Sequence, residues 1–225
     1  MTDSNQVNSG MHLEKREWFV IAFTFLYLAI AVFAAIRKNS TEFILYIGVL
    51  FILLAVVGLV HFRVRLKISA LWGLSIWGLA HMMGGLLTIP ESWPRLGESN
   101  VLYNLWVIPD WLKFDQLVHA YGFGLVTWIC WQGVQRAFLL NGLRVTPSLG
   151  LMTLCVAAGM GFGALNEVVE FIASLTLPET NVGGYENTGW DLVFNLLGSL
   201  LAAIIISLQN PATDQVLETV SPDAQ

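Results

Sequence analysis

Charge is scarce in this 225-residue sequence. Its 11 Lys and Arg and 16 Asp and Glu make up only 12% of the chain, against 56% hydrophobic residues. A soluble domain carries about 25% charge and is nearer 45–50% apolar. At this length the chain lacks the polar residues to cover a water-facing surface. That excludes an ordinary soluble domain, and the apolar excess excludes a disordered chain. The net charge of −5 opposes polyanion binding, so no nucleic-acid partner is expected. Two cysteines cannot build a disulfide framework. The sequence also lacks a serine nucleophile elbow, a phosphate-binding glycine loop and an HExxH zinc signature, which argues against serine-hydrolase and nucleotide chemistry.

Long apolar runs are abundant. A helix needs about 20 apolar residues to cross roughly 30 Å of hydrocarbon. Six stretches qualify: Trp18–Ile36, Phe43–Val60, Ile68–Leu87, Gln116–Arg136, Leu149–Leu175 and Trp190–Leu208. The sequence therefore predicts an all-α integral membrane protein, a six-transmembrane-helix bundle partnered by the lipid bilayer. Residues 1–16 and 210–225 read as polar, disordered tails around one transmembrane domain, 17–209. The first run is too long for a signal peptide, and Arg37 and Lys38 follow it in place of a cleavage site.

Cations set the expected orientation. With the N-terminus inside, Lys15, Arg16, Arg63, Arg65, Lys67, Arg136 and Arg144 lie inside, and Arg37, Lys38, Arg95 and Lys113 outside. Seven against four favours an N-in/C-in topology. Trp93, Trp106, Trp111 and Trp190 then form an outer aromatic belt. The basic run His61–Lys67 reads as a cytoplasmic anchor, with His61, like His12, in solvent.

Ionisable groups inside a membrane are costly, so each is a functional candidate. At ~1.5 Å per residue, His81 lies about 20 Å into its helix, and Glu167 and Glu170 about 27 and 31 Å along theirs. Asp115 opens the fourth helix with His119 one turn deeper, and Asp191 opens the sixth with Asn195 below it. These seven residues share one slab near the outer interface, while the inner halves hold essentially nothing ionisable. His119, Glu167, Glu170, Asp115 and Asp191 are the expected catalytic groups. His81, Asn195, Trp190 and Thr188 are the expected substrate contacts. Two histidines among carboxylates suit a divalent metal as cofactor, with His81, His119, Glu167, Glu170 and Asp191 as candidate ligands. Without metal the same groups suit general acid and base catalysis on a lipid or lipid-linked envelope substrate.

Structural roles compete with these. Asp115 and Asp191 could cap helix N-termini, and a glutamate paired with His119 could merely satisfy a buried polar network. Gly159, Gly161 and Gly163 read as a helix-packing face, as do Gly84, Gly85, Gly122 and Gly124. Cys130 and Cys155 read as core residues. The loop Thr176–Gly189 reads equally as a lid or a plain turn.

The order Asp115-x-x-x-His119, Glu167-x-x-Glu170 and Asp191-x-x-x-Asn195-x-x-Gly198 resembles VanZ-like membrane proteins. It is similar, more closely, to the YjdF-type inner-membrane proteins. Those carry a histidine-glycine motif like His81-Met82-Met83-Gly84-Gly85 and a Trp-Asp motif like Thr188-Gly189-Trp190-Asp191. Glu170 stands where VanZ-like proteins usually have glutamine. The resemblance implies a multi-pass protein of the bacterial cytoplasmic (inner) membrane with a role in the cell envelope. A small-molecule or proton-coupled transporter, and a non-catalytic partner subunit, are the alternatives. A transporter calls for polar groups at mid-membrane and a path to both faces.

Overall fold

A backbone in hydrocarbon must satisfy its own N–H and C=O groups, and a helix does so within one segment. A computed structural model describes residues 13–39, 41–177, 180 and 182–209. Its long elements are α1 (Lys15–Arg37), α2 (Thr41–Val64), α3 (Ile68–Leu86), α4 (Phe114–Leu140), α5 (Leu149–Thr176) and α6 (Tyr185–Gln209). Among the described residues four of these, α1, α2, α5 and α6, are long and apolar enough to cross a membrane. The helices bearing the two site histidines, α3 and α4, fall short of that measure. Polar residues dilute them: Ser69, Ser75 and His81 in α3, and Asp115, Gln116, His119, Gln132, Gln135 and Arg136 in α4. The expected tails at 1–12 and 210–225, and His12 with them, lie outside the described residues.

Side-chain pairs give the direction of each helix. Thr24 Oγ1 and Ser75 Oγ lie 2.6 Å apart and Tyr27 packs on Gly78, so α1 and α3 run parallel. Phe43, at the start of α2, packs on Gly85, at the end of α3. Trp77 Nε1 donates to the Val118 carbonyl (3.1 Å) and Tyr121 OH to that of Gly73 (3.1 Å), so α4 returns along α3. α6 runs parallel to α4, as the pairs His119–Asn195 and Phe123–Ser199 require. Between them α5 runs the other way, with Glu167 beside His119 and Gly159 beside Thr127.

Close approach of α4 and α6 depends on glycine. A Cβ at Gly198 would collide with the Ala120 carbonyl, and one at Gly124 would lie 2.8 Å from the Gly198 oxygen. Gly159 seats against Ser199 and Gly163 against Asn195, whereas Gly161 faces open space. Gly84 fits under Tyr103 and Gly122 under Trp77. These glycines pack, as their spacing suggests, with Gly161 the exception.

Two apolar cores result. One joins α1, α2 and α3 through Tyr27, Leu28, Ala31, Ala35, Phe43, Ile47 and Met82. The other joins α4, α5 and α6 through Trp131, Met152, Cys155, Ala203 and Ile206, with Cys130 packed beside it. Both thiols are free. α2 leans mainly on α1, touches α3 and α4 only sparsely, and is the least buried of the four membrane-length helices.

Between α3 and α4 the chain builds a cap. A 3-10 turn at Leu102–Asn104 leads into a hairpin of β1 (Trp106–Ile108) and β2 (Leu112–Lys113). The Leu102 N–H donates to the Leu87 carbonyl (3.0 Å), and Lys38 Nζ to that of Leu86 (2.7 Å). Trp93, Trp111 and Trp190 are exposed around this end.

Candidate functional site

α4 enters the bundle directly beneath the cap, with Gln116 Oε1 accepting from the Lys113 N–H (2.9 Å). One turn on, His119 is 2% exposed. Its Nδ1 lies 3.0 Å from Asn195 Oδ1. An amide oxygen only accepts, so Nδ1 carries a proton and Nε2 is turned away from Asn195. That nitrogen faces two carboxylates, Asp115 Oδ1 at 3.7 Å and Asp191 Oδ1 at 3.9 Å. Glu167 Oε1 approaches Nδ1 at 3.8 Å. Asp191 Oδ1 and both Glu167 oxygens are buried without a hydrogen-bond partner among the described residues. Such orphaned carboxylate oxygens are costly unless a proton or a cation meets them.

Two groups have their ligand atoms within 4.8 Å of one another: Asp115, His119 and Asp191, and His119, Glu167 and Glu170. Oxygen-rich sets with one imidazole suit a hard or borderline divalent cation. His81 belongs to neither group, which departs from its expected role as a ligand. Its Nδ1 instead meets Tyr103 OH at 2.6 Å, while that hydroxyl donates to the His81 carbonyl at 3.0 Å. Because the phenol has one proton, Nδ1 must donate to it, leaving Nε2 as the basic nitrogen. Burial first, then the Asp115 carboxylate, push the Tyr103 phenol well above its ordinary range, so it stays a donor.

Beside this cluster opens one large cavity, about 1840 Å³, running the length of the bundle. α2 lines it from Glu42 to Val64, about 33 Å at 1.5 Å per residue. Most of the wall is apolar, from residues such as Leu50, Leu54, Val57, Phe123, Phe162 and Leu165. It is a cleft between α2 on one side and α4 and α5 on the other, where the contacts are sparse. At the capped end its wall includes Asp115, Glu170, His81 and Trp190. His119, Glu167, Asp191, Asn195 and Thr188 are not on that wall. The first four of these are buried behind it.

These helices coincide with the reach of a known family. A family model described as "Predicted membrane protein (DUF2238)" matches residues 19–211. The chain belongs to that family. The match takes in all six helices and every residue of the cluster. No curated protein and no solved structure matches the chain.

Several placements differ from those read in the DUF2238 sequence alone. Asp191 lies inside α6, which begins at Tyr185, so it does not cap the helix. Thr188 likewise sits in the first turns of α6 and is half-buried. The supposed lid is shortened accordingly. Thr180, Val182, Gly183 and Gly184 line the cleft, and Pro178, Glu179 and Asn181 lie outside the described residues. His61 is not in solvent. It is 5% exposed, with Nε2 3.1 Å from Glu17 Oε1, because the start of α1 meets the end of α2. A buried ionisable pair therefore occupies a half of the bundle whose spans were expected to hold essentially nothing ionisable.

Three participants escaped the sequence reading. Lys113, counted only among the outer cations, is 4% exposed, bonded through Nζ to Asn187 Oδ1 and 3.9 Å from Asp115. Asn187 in turn donates to Asp191 Oδ2 (2.6 Å), one turn away. Asn166 donates to Glu170 Oε1 at 2.9 Å. The i, i+4 spacing of Asn187–Asp191 and Asn166–Glu170 was the available signal.

Proposed function

We propose that this DUF2238 protein is a six-span, N-in/C-in, single-domain protein of the bacterial cytoplasmic membrane that modifies a lipid or lipid-linked envelope substrate. The observation that carries the reading is the cleft. It is open between α2 and the α4–α5 side, apolar along its length, and ends at Asp115, Glu170 and His81. Acyl or isoprenoid chains fit the apolar wall, which leaves the headgroup beside the acids. Glu170, steadied by Asn166, is the general acid or base, and His81, on the same wall, is a hydrogen-bonding contact for the headgroup. Behind the wall, Asn195 is the positioning residue for the His119 ring, whose Nε2 then faces Asp115 and Asp191. Trp190 flanks the headgroup, and Thr188 has no direct contact in this reading. The likeness to VanZ-like and YjdF-type proteins supports the envelope location.

The reading includes a divalent cation held by Asp115, His119 and Asp191 or by His119, Glu167 and Glu170. The unpartnered Asp191 and Glu167 oxygens fit such an ion. When bound, a cation of this kind polarises a phosphoryl or carbonyl oxygen.

Proteoliposomes made from bacterial lipid extract test the proposal, with lipids and lipid-linked species followed by mass spectrometry. Wild-type protein should convert one species, and Glu170→Gln should slow that conversion by about 100-fold or more. An unchanged lipid profile with wild type, or equal turnover by the variant, would overturn it. One observation favours transport as a second reading, since the cleft also reaches Glu17 and His61 at its far end. Proton flux into dye-loaded vesicles, without any lipid conversion, would establish that alternative.

A further inference from the structure

The end of the molecule opposite the acids holds a second cavity. It is about 400 Å³ and is lined by Glu14, Arg16, Glu17, His61, Arg65, Leu66, Lys67, Ile68 and Ser69, where α1, α2 and α3 meet. We infer that this pocket binds a phosphate oxyanion, supplied by an anionic lipid headgroup or by free phosphate. The inference is independent of the acid site and stands or falls without it.

Three cations face two carboxylates around this cavity. Arg16 is occupied, its Nε 2.6 Å from Glu14 Oε2. The side chains of Arg65 and Lys67 make no hydrogen bond or ion pair among the described residues, so their charge is available to a ligand. Lys67 is also the residue from which α3 starts, and Ile68 and Ser69 are its first two helical positions. Unbonded N–H groups there give the positive end of the helix dipole to the same space. His61 lines the cavity, is 5% exposed, and its Nδ1 has no hydrogen-bond partner among the described residues. A buried imidazole nitrogen left orphaned beside an open polar cavity is a donor or acceptor in want of a partner.

Backbone geometry adds a separate argument. Arg65 has φ 60, the left-handed conformation that follows α2, with its N–H on the His61 carbonyl at 2.7 Å. Glycine is the residue that adopts this conformation without penalty. An arginine held there trades stability for a charge at this spot, the pattern expected of a binding residue. The size of the cavity admits a phosphodiester with some of its waters.

The test uses the full-length protein in nanodiscs of equal phosphatidylglycerol and phosphatidylcholine, with retained lipids counted by native mass spectrometry. A charge-assisted hydrogen bond to a bound oxyanion is worth at least about fivefold per cation. Arg65→Gln/Lys67→Gln should therefore reduce the retained glycerol-to-choline lipid ratio roughly thirtyfold. Arg63→Gln, exposed at the same end but off the cavity wall, should leave the ratio unchanged. Arg65→Gly should raise the unfolding temperature while still losing the lipid, a combination a merely structural arginine would not give. A parallel titration of inorganic phosphate into protein in phosphatidylcholine-only discs separates the two sources. Binding lost in the double variant identifies free phosphate as a ligand; no binding there, with glycerol lipid retained above, identifies the headgroup. Equal lipid retention by wild type and double variant, together with no phosphate binding, would overturn the inference. An equal loss in Arg63→Gln would do so too, by showing attraction to the surface as a whole.

Discussion

His119 and His81 look interchangeable in composition, yet their neighbours make them different. His119 Nε2 lies 3.7 and 3.9 Å from Asp115 and Asp191, distances too long for hydrogen bonds and suited to a cation between them, while Glu167 lies 3.8 Å from Nδ1 on the other side of the ring. His81 spends its Nδ1 on Tyr103 and lies outside both candidate ligand groups. Elemental analysis of the purified protein should then find about one divalent ion per chain, lost in His119→Ala and kept in His81→Ala. Equal metal in wild type and His119→Ala would remove the cation from the proposal. The pairing of His81 with Tyr103 could not be read from the sequence, because a turn 22 residues away supplies the hydroxyl. Lys113 was only counted among the outer cations, and its contact was hidden for a related reason: Asn187 stands 74 residues further along the chain.

Helix α6 owes its place to the absence of side chains. Gly198 lets the α4 backbone approach at Ala120, and that contact holds Asn195 within reach of His119. Gly198→Leu should force the two helices apart, costing about 1–3 kcal/mol of stability or more. The melting temperature in detergent should fall and the His119–Asn195 bond should be lost. Gly161→Leu, on the same helix as Gly159 and Gly163 but facing open space, should melt near wild type. Helix existence was legible from hydropathy, because an apolar run of this length has few other ways to satisfy its backbone. Helix ends were less so. α6 begins at Tyr185 because Glu186, Asn187 and Thr188 are compatible with a helix that projects past the apolar stretch. That extension alone moved Asp191 from a cap to a buried, bonded residue.

For the molecule as a whole, the alternation of helices brings the acids of α4, α5 and α6 to one end and leaves Glu17 and His61 at the other. Sharing of one slab by His81, Asp115, His119, Glu167, Glu170, Asp191 and Asn195 was legible from span counting. Which of them face a cavity was not, because wall and interior differ only by helix rotation. The proposed orientation puts the cap outside the cell. In a variant lacking Cys130 and Cys155, a Glu98→Cys residue should react with a membrane-impermeant maleimide on intact cells. Arg144→Cys should react only after the inner membrane is opened. The reverse pattern would invert the topology without separating the residues of the slab.

The sparse contact of α2 with α3 and α4 has a kinetic meaning. In the proposed reading, an occupant that enters between α2 and the α4–α5 side arrives by diffusion in the plane of the membrane. The concentration that matters for such an occupant is its mole fraction among lipids, not its amount per litre. Diluting the substrate with inert lipid would slow the reaction even when every bulk concentration is held fixed, and saturation would be reached on a scale of surface density.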